Sequence, residues 1–387
     1  MFDFDKVIDR RGTGGEKWDK YQGQDVIPMW VADMDFQVPP AVTKALQERV
    51  HHGIYGYPGR DYALEAVVVK RLKRCFGWEI NPDWIVWLPG LVSGINAMCH
   101  AFSDPGDDIM TTIPVYPPFL AAPGNAGKNC IKVPMVLEND RYVLDFKGIK
   151  EAITHKTRIF ILCSPYNPCG TIFTKEELGR LVSICHAHNI LLLSDEIHAD
   201  FILDDDAAHC PTWMCDPKAP DNTITLMAPS KTFNIPGLSC SFGVISNGAL
   251  RQKFQTFSRG LLPHVNCMGL LAARAAFESG DQWLAALIQY LKTNRDYVYQ
   301  RINNMPGLSM KAVSSTYLAW IDAKNLKVEN PARYFESMGV GLNDGATFGA
   351  KGYVRLNFGC PMATLKQGLD RMEKAVDMLF HSSVKDS

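Results

Sequence analysis

The sequence of 387 residues has no excess of either charge. It contains 40 Lys and Arg residues against 41 Asp and Glu residues, which leaves a formal net charge of -1. A chain without a basic excess has no general attraction for nucleic acid or for an anionic membrane surface. We therefore expect a small-molecule partner. The length of the chain and its 47% hydrophobic content favour two domains.

Long apolar runs and a signal peptide are also missing. The apolar segment 261–277 is interrupted by His264, Asn266 and Arg274, so it is unsuited to crossing a membrane. Residues 1–6 carry acids where a secretory signal needs a basic region followed by an apolar one. The sequence therefore predicts a cytoplasmic protein without membrane-spanning helices.

The 11 cysteines lack the spacing of a disulfide framework or a zinc site. They are scattered singly between Cys75 and Cys360, and no Cys-x-x-Cys sequence occurs. Segments 185–188 and 209–215 come nearest to metal-ligand spacing, but neither matches a closed zinc pattern. We expect free thiols in a reducing compartment and no bound metal.

A single lysine is present in the almost uncharged segment 226–238. Lys231 follows Ser230 and precedes Pro236 and Gly237, which is a poor setting for a solvated helix face. Burial lowers the pKa of an amine and makes it a better nucleophile, as a carbonyl cofactor such as pyridoxal phosphate requires for a Schiff base. The alternative is a lysine in a turn whose ammonium group reaches the surface.

Other reactive side chains follow predicted strands in an alternating β/α pattern. Tyr116, Asn167 and Asp195 each come directly after such a strand, where open α/β sheets bind their ligands. Acids at the end of an apolar strand are costly without a partner, so Asp195 is a candidate functional residue. The predicted strands of this part are 84–88, 107–114, 158–165 and 189–194.

A glycine turn and a tyrosine loop provide two further candidates. The first strand ends at Pro89 and Gly90 and enters a helix, whose free N–H groups and dipole can bind a phosphate. A glycine kept only for packing is the alternative. Loop 53–59 contains Tyr55 and Tyr57, which either serve a site or pack a rim.

The two ends of the chain are predicted to form an arm and a small domain. Residues 1–44 are rich in Gly, Asp and Pro, with one compact apolar stretch, and form an arm packed on the small domain. The amphipathic pattern of 281–305 predicts a long helix. Strands at 315–321 and 353–358 and a helix at 365–379 complete an α+β unit. The predicted domains are the large domain at 45–283 and the small domain at 284–387.

Four motifs together resemble a known family over essentially the whole chain. They are Ser-Pro-Tyr-Asn-Pro-Cys-Gly170, Ser-Asp-Glu-Ile-His198, Ser-Lys-Thr-Phe-Asn-Ile-Pro236 and Arg355-Leu-Asn. This set is similar to the fold type I pyridoxal-phosphate enzymes of the aspartate aminotransferase superfamily, and within it to the cystathionine β-lyases of the MalY and PatB kind. The resemblance implies a three-layer α/β large domain with a mostly parallel central sheet, plus the smaller α+β domain.

The resemblance also implies roles for the residues that contact the cofactor ring. Lys231 would bind pyridoxal phosphate covalently and then act as the base at the substrate Cα. Asp195 would pair with the pyridinium nitrogen and keep it protonated. Asn167 would hydrogen-bond the phenolate oxygen, Tyr116 would stack on the ring face, and His198 would also contact the cofactor.

The phosphate and the substrate would be bound by other parts of the chain. Backbone N–H groups near Gly90, Leu91 and Val92 would hold the phosphate together with Ser230. Tyr57 would reach the phosphate and substrate of the neighbouring subunit in a homodimer with shared active sites. Arg355, assisted by Asn167, would bind the substrate carboxylate through two parallel hydrogen bonds.

The implied reaction is α,β-elimination from a sulfur-containing amino acid, which gives pyruvate, ammonia and a thiol. Aminotransferases usually have tyrosine three residues after the ring aspartate, whereas this chain has His198, as the lyases do. An amino-acid aminotransferase remains the alternative. A relative that keeps the fold only for binding is a third hypothesis.

Overall fold

The computed structural model describes residues 2–382, so residue 1 of the predicted arm and residues 383–387 of the predicted small domain lie outside the described range. Over this range the helices are α1 (Glu16–Asp19), α2 (Pro40–His52), α3 (Tyr62–Phe76), α4 (Leu91–Ala101), α5 (Pro117–Asn125), α6 (Phe146–Ala152), α7 (Lys175–Ala187), α8 (Ala219–Asn222), α9 (Pro229–Thr232), α10 (Gly248–Ser258), α11 (Cys267–Ser279), α12 (Asp281–Asn303), α13 (Pro331–Ser337) and α14 (Met362–Ser382). The strands are β1 (Ile27–Pro28), β2 (Ile85–Leu88), β3 (Asp108–Ile113), β4 (Asn129–Pro134), β5 (Val136–Glu138), β6 (Arg141–Val143), β7 (Thr157–Cys163), β8 (Leu191–Asp195), β9 (Thr223–Met227), β10 (Ser241–Val244), β11 (Ser309–Met310), β12 (Leu318–Asp322), β13 (Val340–Gly341), β14 (Asn343–Asp344) and β15 (Tyr353–Asn357).

A seven-stranded sheet forms the centre of the large domain, in the order β2-β10-β9-β8-β7-β3-β4. Neighbouring strands from β9 to β4 are parallel, whereas β10 runs antiparallel to both β2 and β9. The side chains of this sheet pack into two separate hydrophobic cores. Ile85 and Phe242 belong to one core, and Val86 and Leu88 belong to the other. The predicted three-layer α/β domain with a mostly parallel sheet is confirmed.

Local signals in the sequence determine where α7 begins. The hydroxyl of Thr174 accepts a hydrogen bond from the backbone N–H of Glu177, whose carboxylate accepts one from the N–H of Thr174. This reciprocal cap satisfies two backbone donors that the first helical turn leaves without partners. This capping box fixes the start of α7, which leads directly to the central strand β8.

A smaller antiparallel sheet, in the order β11-β12-β15-β14, lies in the C-terminal part of the chain. Strand β12 begins at Leu318, three residues later than the predicted strand at 315, because Thr316 has a φ of 70° that extended backbone excludes. The arm joins this part of the chain through β1, which pairs in parallel with β13. Tyr317 and Arg355 lie in or beside this smaller sheet, so it contributes to the cavity described below.

Sulfur, metal and membrane features are simple over the described range. All 11 cysteines are free thiols. No cluster of three or more His, Cys, Asp or Glu side chains within residues 2–382 is arranged to hold a metal ion. In the same part of the chain, every helix is too short or too polar to cross a membrane.

Candidate active site

A cavity of about 470 Å³ opens at the carboxyl ends of the parallel strands. The structure brings most of the predicted site residues to its wall. These residues are Gly90, Leu91, Val92, Tyr116, Asn167, Asp195, His198, Ser230, Lys231 and Arg355. Tyr57 is not among them, since its side chain is fully exposed on the loop before α3.

Lys231 lies on the short helix α9, directly after the central strand β9. Its Nζ donates a 3.0 Å hydrogen bond to the carbonyl oxygen of Ala32. Burial lowers the pKa of Lys231 to about 8, although the nearby carboxylates of Asp33 and Asp195 act in the opposite direction. Roughly a tenth of the amine is therefore unprotonated at pH 7, far more than for an ordinary lysine, and this is the form that a nucleophile or base requires.

Asp195 ends strand β8 in the middle of the sheet and is 5% exposed. One carboxylate oxygen accepts the backbone N–H of Ile197 at 3.1 Å. Burial raises the pKa of Asp195 to about 7, although the hydrogen bond from Ile197 and the charge of Lys231 act in the opposite direction. Such a group is stabilised by a cationic nitrogen that enters the cavity.

Arg355 on β15 provides the opposite charge in the same cavity and is 3% exposed. Its Nη1 donates to Oδ1 of Asn167 at 2.9 Å, and its Nη2 donates to Oδ1 of Asn343 at 2.6 Å and to the carbonyl of Trp30 at 2.9 Å. Burial lowers the pKa of Arg355 to about 10, and its guanidinium lies 4.8 Å from the ring centre of Phe348. No carboxylate of the described residues pairs with this cation, which leaves it suited to a ligand carboxylate.

Two aromatic side chains, Tyr116 and His198, also line the cavity. Tyr116 follows strand β3 at the start of α5 and is partly buried. His198 is 2% exposed, and burial lowers its pKa to about 3, so its imidazole is neutral. Nδ1 of His198 is buried without a hydrogen-bond partner in the described residues, and a bound molecule can supply one.

The start of α4 forms the other end of the cavity. Gly90 has a φ of 150°, which favours glycine, and no side chain caps the helix that begins at Leu91. Ser230 lines the same cavity as this uncapped N-terminus. Free backbone N–H groups, a helix dipole and a hydroxyl together fit a phosphate group.

The arm supplies contacts that sequence reasoning missed. Residues 30–33, called the arm segment, place the carbonyl of Ala32 against both Lys231 and the hydroxyl of Tyr317, which donates at 2.8 Å. Asn357 fixes this backbone by donating from Nδ2 to the carbonyls of residues 31 and 33. The only sequence signal for it was a compact apolar stretch at 28–36.

Known proteins share both the sequence pattern and the fold. Residues 24–372 match the family described as aminotransferase class I and II. Cystathionine beta-lyase PatB of Bacillus subtilis is 35% identical over 96% of this chain and 99% of its own length. The solved structure of OvoB has a TM-score of 0.95 and 40% identity over 97% of this chain and 99% of its own. Cystalysin from Treponema denticola, which contains pyridoxal 5'-phosphate, has a TM-score of 0.93 and 29% identity over 98% of this chain and 100% of its own. This chain is a member of the aminotransferase class I and II family.

Proposed function

We propose that this protein is a pyridoxal-phosphate-dependent carbon–sulfur β-lyase that eliminates a thiol from amino acids such as cystathionine. The observation that carries the proposal is a single cavity with an amine, a buried carboxylate and a buried guanidinium that has no anionic partner among the described residues. The similarity to cystathionine beta-lyase PatB and to the cofactor-containing cystalysin supports it. The cavity then has a place for each polar part of cofactor and substrate.

The residues present fit pyridoxal phosphate. Asp195 would hold the ring nitrogen, since a cationic neighbour would offset the burial that raises the pKa of this carboxyl to about 7. Asn167 already accepts from Arg355 through Oδ1, which leaves its amide N–H groups to donate to the phenolate oxygen. Tyr116 would cover one ring face, and the start of α4 with Ser230 would hold the phosphate. When bound, the cofactor supplies an aldehyde that captures amino groups and a ring that accepts the electron pair left at Cα.

The side chains of this protein would position the substrate and move its proton. Arg355 would bind the α-carboxylate with two parallel hydrogen bonds, one from Nη1 and one from Nη2, and the bond from Nη2 would replace its present bond to the carbonyl of Trp30. Asn167 and Asn343 would keep the guanidinium plane fixed. Nζ of Lys231 would take the Cα proton, because its lowered pKa makes it a base at neutral pH. The thiolate would then leave Cβ, and the remaining fragment would hydrolyse to pyruvate and ammonia.

A lyase and an aminotransferase share the removal of the Cα proton and differ in the next step. Transamination needs that proton to be returned to the cofactor, whereas elimination needs a leaving group at Cβ. His198 occupies the position where aminotransferases usually have tyrosine, and its buried ring is neutral. This residue favours the lyase over the aminotransferase that remains the alternative.

A homodimer with shared active sites is part of the proposal. Tyr57 is fully exposed, and Ile54, Tyr55 and Tyr62 beside it are each more than half exposed. An exposed apolar loop of this kind is suited to a protein interface. Tyr57 of one subunit would reach the phosphate of the other, in a cytoplasmic enzyme with an arm at 1–44, a large domain at 45–283 and a small domain at 284–387.

One assay tests the proposed reaction. Purified enzyme is mixed with cystathionine, and pyruvate, ammonia and free thiol are measured together. A lyase releases the three in equal amounts. Formation of an oxo acid with pyridoxamine phosphate left on the protein and no thiol would establish the aminotransferase instead. A colourless protein that takes up no pyridoxal phosphate would establish the non-catalytic alternative.

A further inference from the structure

The loop after β8 brings two cysteines together outside the cavity. Sγ of Cys215 lies 3.2 Å from Sγ of Cys210, and both residues are partly exposed. A single turn of 3-10 helix, Thr212–Met214, begins after Pro211 and folds the two sulfur atoms towards each other. A shift of roughly 1.2 Å would bring them to the disulfide bond length of about 2.05 Å.

The chemistry of the two thiols differs from that of the buried cysteines. The thiol of Cys215 donates a hydrogen bond to the sulfur of Cys210, which lowers the pKa of Cys210 to about 7. Burial instead raises the pKa of Cys163 and of Cys185, which keeps these thiols protonated. The thiolate is the nucleophile in sulfur oxidation, so Cys210 combines ionisation, partial exposure and a neighbouring thiol.

The same loop supports a buried carboxylate beside the candidate active site. His209 precedes Cys210 and shares a 2.7 Å hydrogen bond between its Nε2 and Oε2 of Glu196. The backbone N–H of Thr212 donates to Oε1 of Glu196 at 2.9 Å. Glu196 is 1% exposed and directly follows Asp195, so its carboxylate connects this loop to the end of β8.

We propose that Cys210 and Cys215 are a thiol–disulfide pair that hydrogen peroxide oxidises, and that closure of the bridge lowers turnover by displacing the partners of Glu196. The Cys210 thiolate attacks one peroxide oxygen, the O–O bond breaks, and a sulfenic acid and one water form after protonation. The Cys215 sulfur then attacks the sulfenic sulfur and releases the second water. Two thiols are oxidised while one peroxide is reduced to two waters.

The bridge is tested on the holoenzyme by mass spectrometry after treatment with one equivalent of hydrogen peroxide. Tryptic peptide 181–218 contains both residues and Cys185. We expect the mass of this peptide to fall by about 2 Da when the bridge forms. After denaturation, Cys185 should be the one cysteine of the peptide that is alkylated, and after reduction all three of its cysteines should be alkylated. The variant Cys215→Ser should form no bridge, and Cys75→Ser, which removes an exposed cysteine, should form it like the wild type. Thiols that all remain open to alkylation after peroxide, or a bridge that forms equally in Cys215→Ser, would overturn the pair.

The effect on turnover rests on the proposed function and is measured separately. Oxidised wild type should release thiol from cystathionine more slowly by at least roughly threefold, as expected when a hydrogen bond to Glu196 weakens. Dithiothreitol should restore the rate, and peroxide should leave the rate of Cys215→Ser unchanged. A complete bridge with an unchanged rate would overturn the link through Glu196. An untreated holoenzyme that releases no thiol would overturn the proposed function, while the mass measurement still decides the bridge.

Discussion

Replacement of Arg355 by lysine tests the proposed carboxylate site. The guanidinium already uses Nη1 for Asn167 and Nη2 for Asn343 and the carbonyl of Trp30, so it is held in one plane. A lysine ammonium is a single point of charge without a planar fork of N–H groups, so it cannot give two parallel bonds to a carboxylate. The variant Arg355→Lys therefore loses at least one charge-assisted hydrogen bond to the substrate.

The size of the effect can be calculated from that loss. One hydrogen bond to a charged group contributes about 1.5–3 kcal/mol. At about 1.4 kcal/mol per factor of ten, kcat/KM should fall by about 10- to 100-fold. The cofactor absorbance should stay unchanged, because Asp195, Lys231 and the start of α4 are intact.

The assay is the rate of thiol release from cystathionine over a range of concentrations, together with absorbance spectra and thermal unfolding of both proteins. Arg333→Lys makes the same chemical change at an exposed position on α13 and serves as the matched control. A kcat/KM for Arg355→Lys within about twofold of wild type would remove Arg355 from the substrate site. A loss of cofactor absorbance would show that the substitution damages the cavity rather than substrate binding.

Two further predictions concern the cofactor and the dimer. The pKa of Asp195 is raised from 3.8 to about 7, so this group stabilises the cofactor-free protein below pH 3.8 and that contribution is lost as pH rises towards 7. Between pH 5 and 8, the cofactor-free variant Asp195→Asn should therefore lose less thermal stability than the wild type, and it should also retain pyridoxal phosphate poorly. The same pH dependence of stability in both proteins would contradict the raised pKa, and full activity of the variant would contradict the pyridinium role. Lys231→Ala and Tyr57→Ala should each be strongly impaired, and refolding them together should partly restore activity, because one site of the mixed dimer receives both intact residues. Absence of rescue in verified mixed dimers would reject shared sites, and little loss in Tyr57→Ala alone would assign Tyr57 to loop packing.

Much of the candidate site could be predicted because it depends on local patterns. Apolar strands with polar residues after them identify Tyr116, Asn167 and Asp195, since carboxyl ends of parallel strands meet at one edge of a sheet. The lysine at 231 was marked by its uncharged neighbours. In each case the signal lies within a few residues of the side chain.

The rest of the site depends on contacts between distant parts of the chain. The carbonyl of Trp30 and Arg355 are 325 residues apart, and the carbonyl of Ala32 and Lys231 are 199 apart. A backbone carbonyl has no identity in the sequence, so no motif predicts its partner. Arg355 itself was found only through the family resemblance. The 3.2 Å approach of Cys210 and Cys215 was missed for a different reason: the two residues are close in sequence, but their spacing matches no familiar pattern.

The arm segment has a consequence for the newly made chain. A ribosome releases the N-terminus first, and domains fold in that order as they emerge. Residues 30–33 leave early, but their partners include Arg355 and Asn357, which are synthesised near the end. The central sheet can therefore be complete while the cavity still lacks one wall. We therefore expect turnover to begin only after almost the whole polypeptide has been translated, and prematurely terminated chains that retain Lys231 to be inactive.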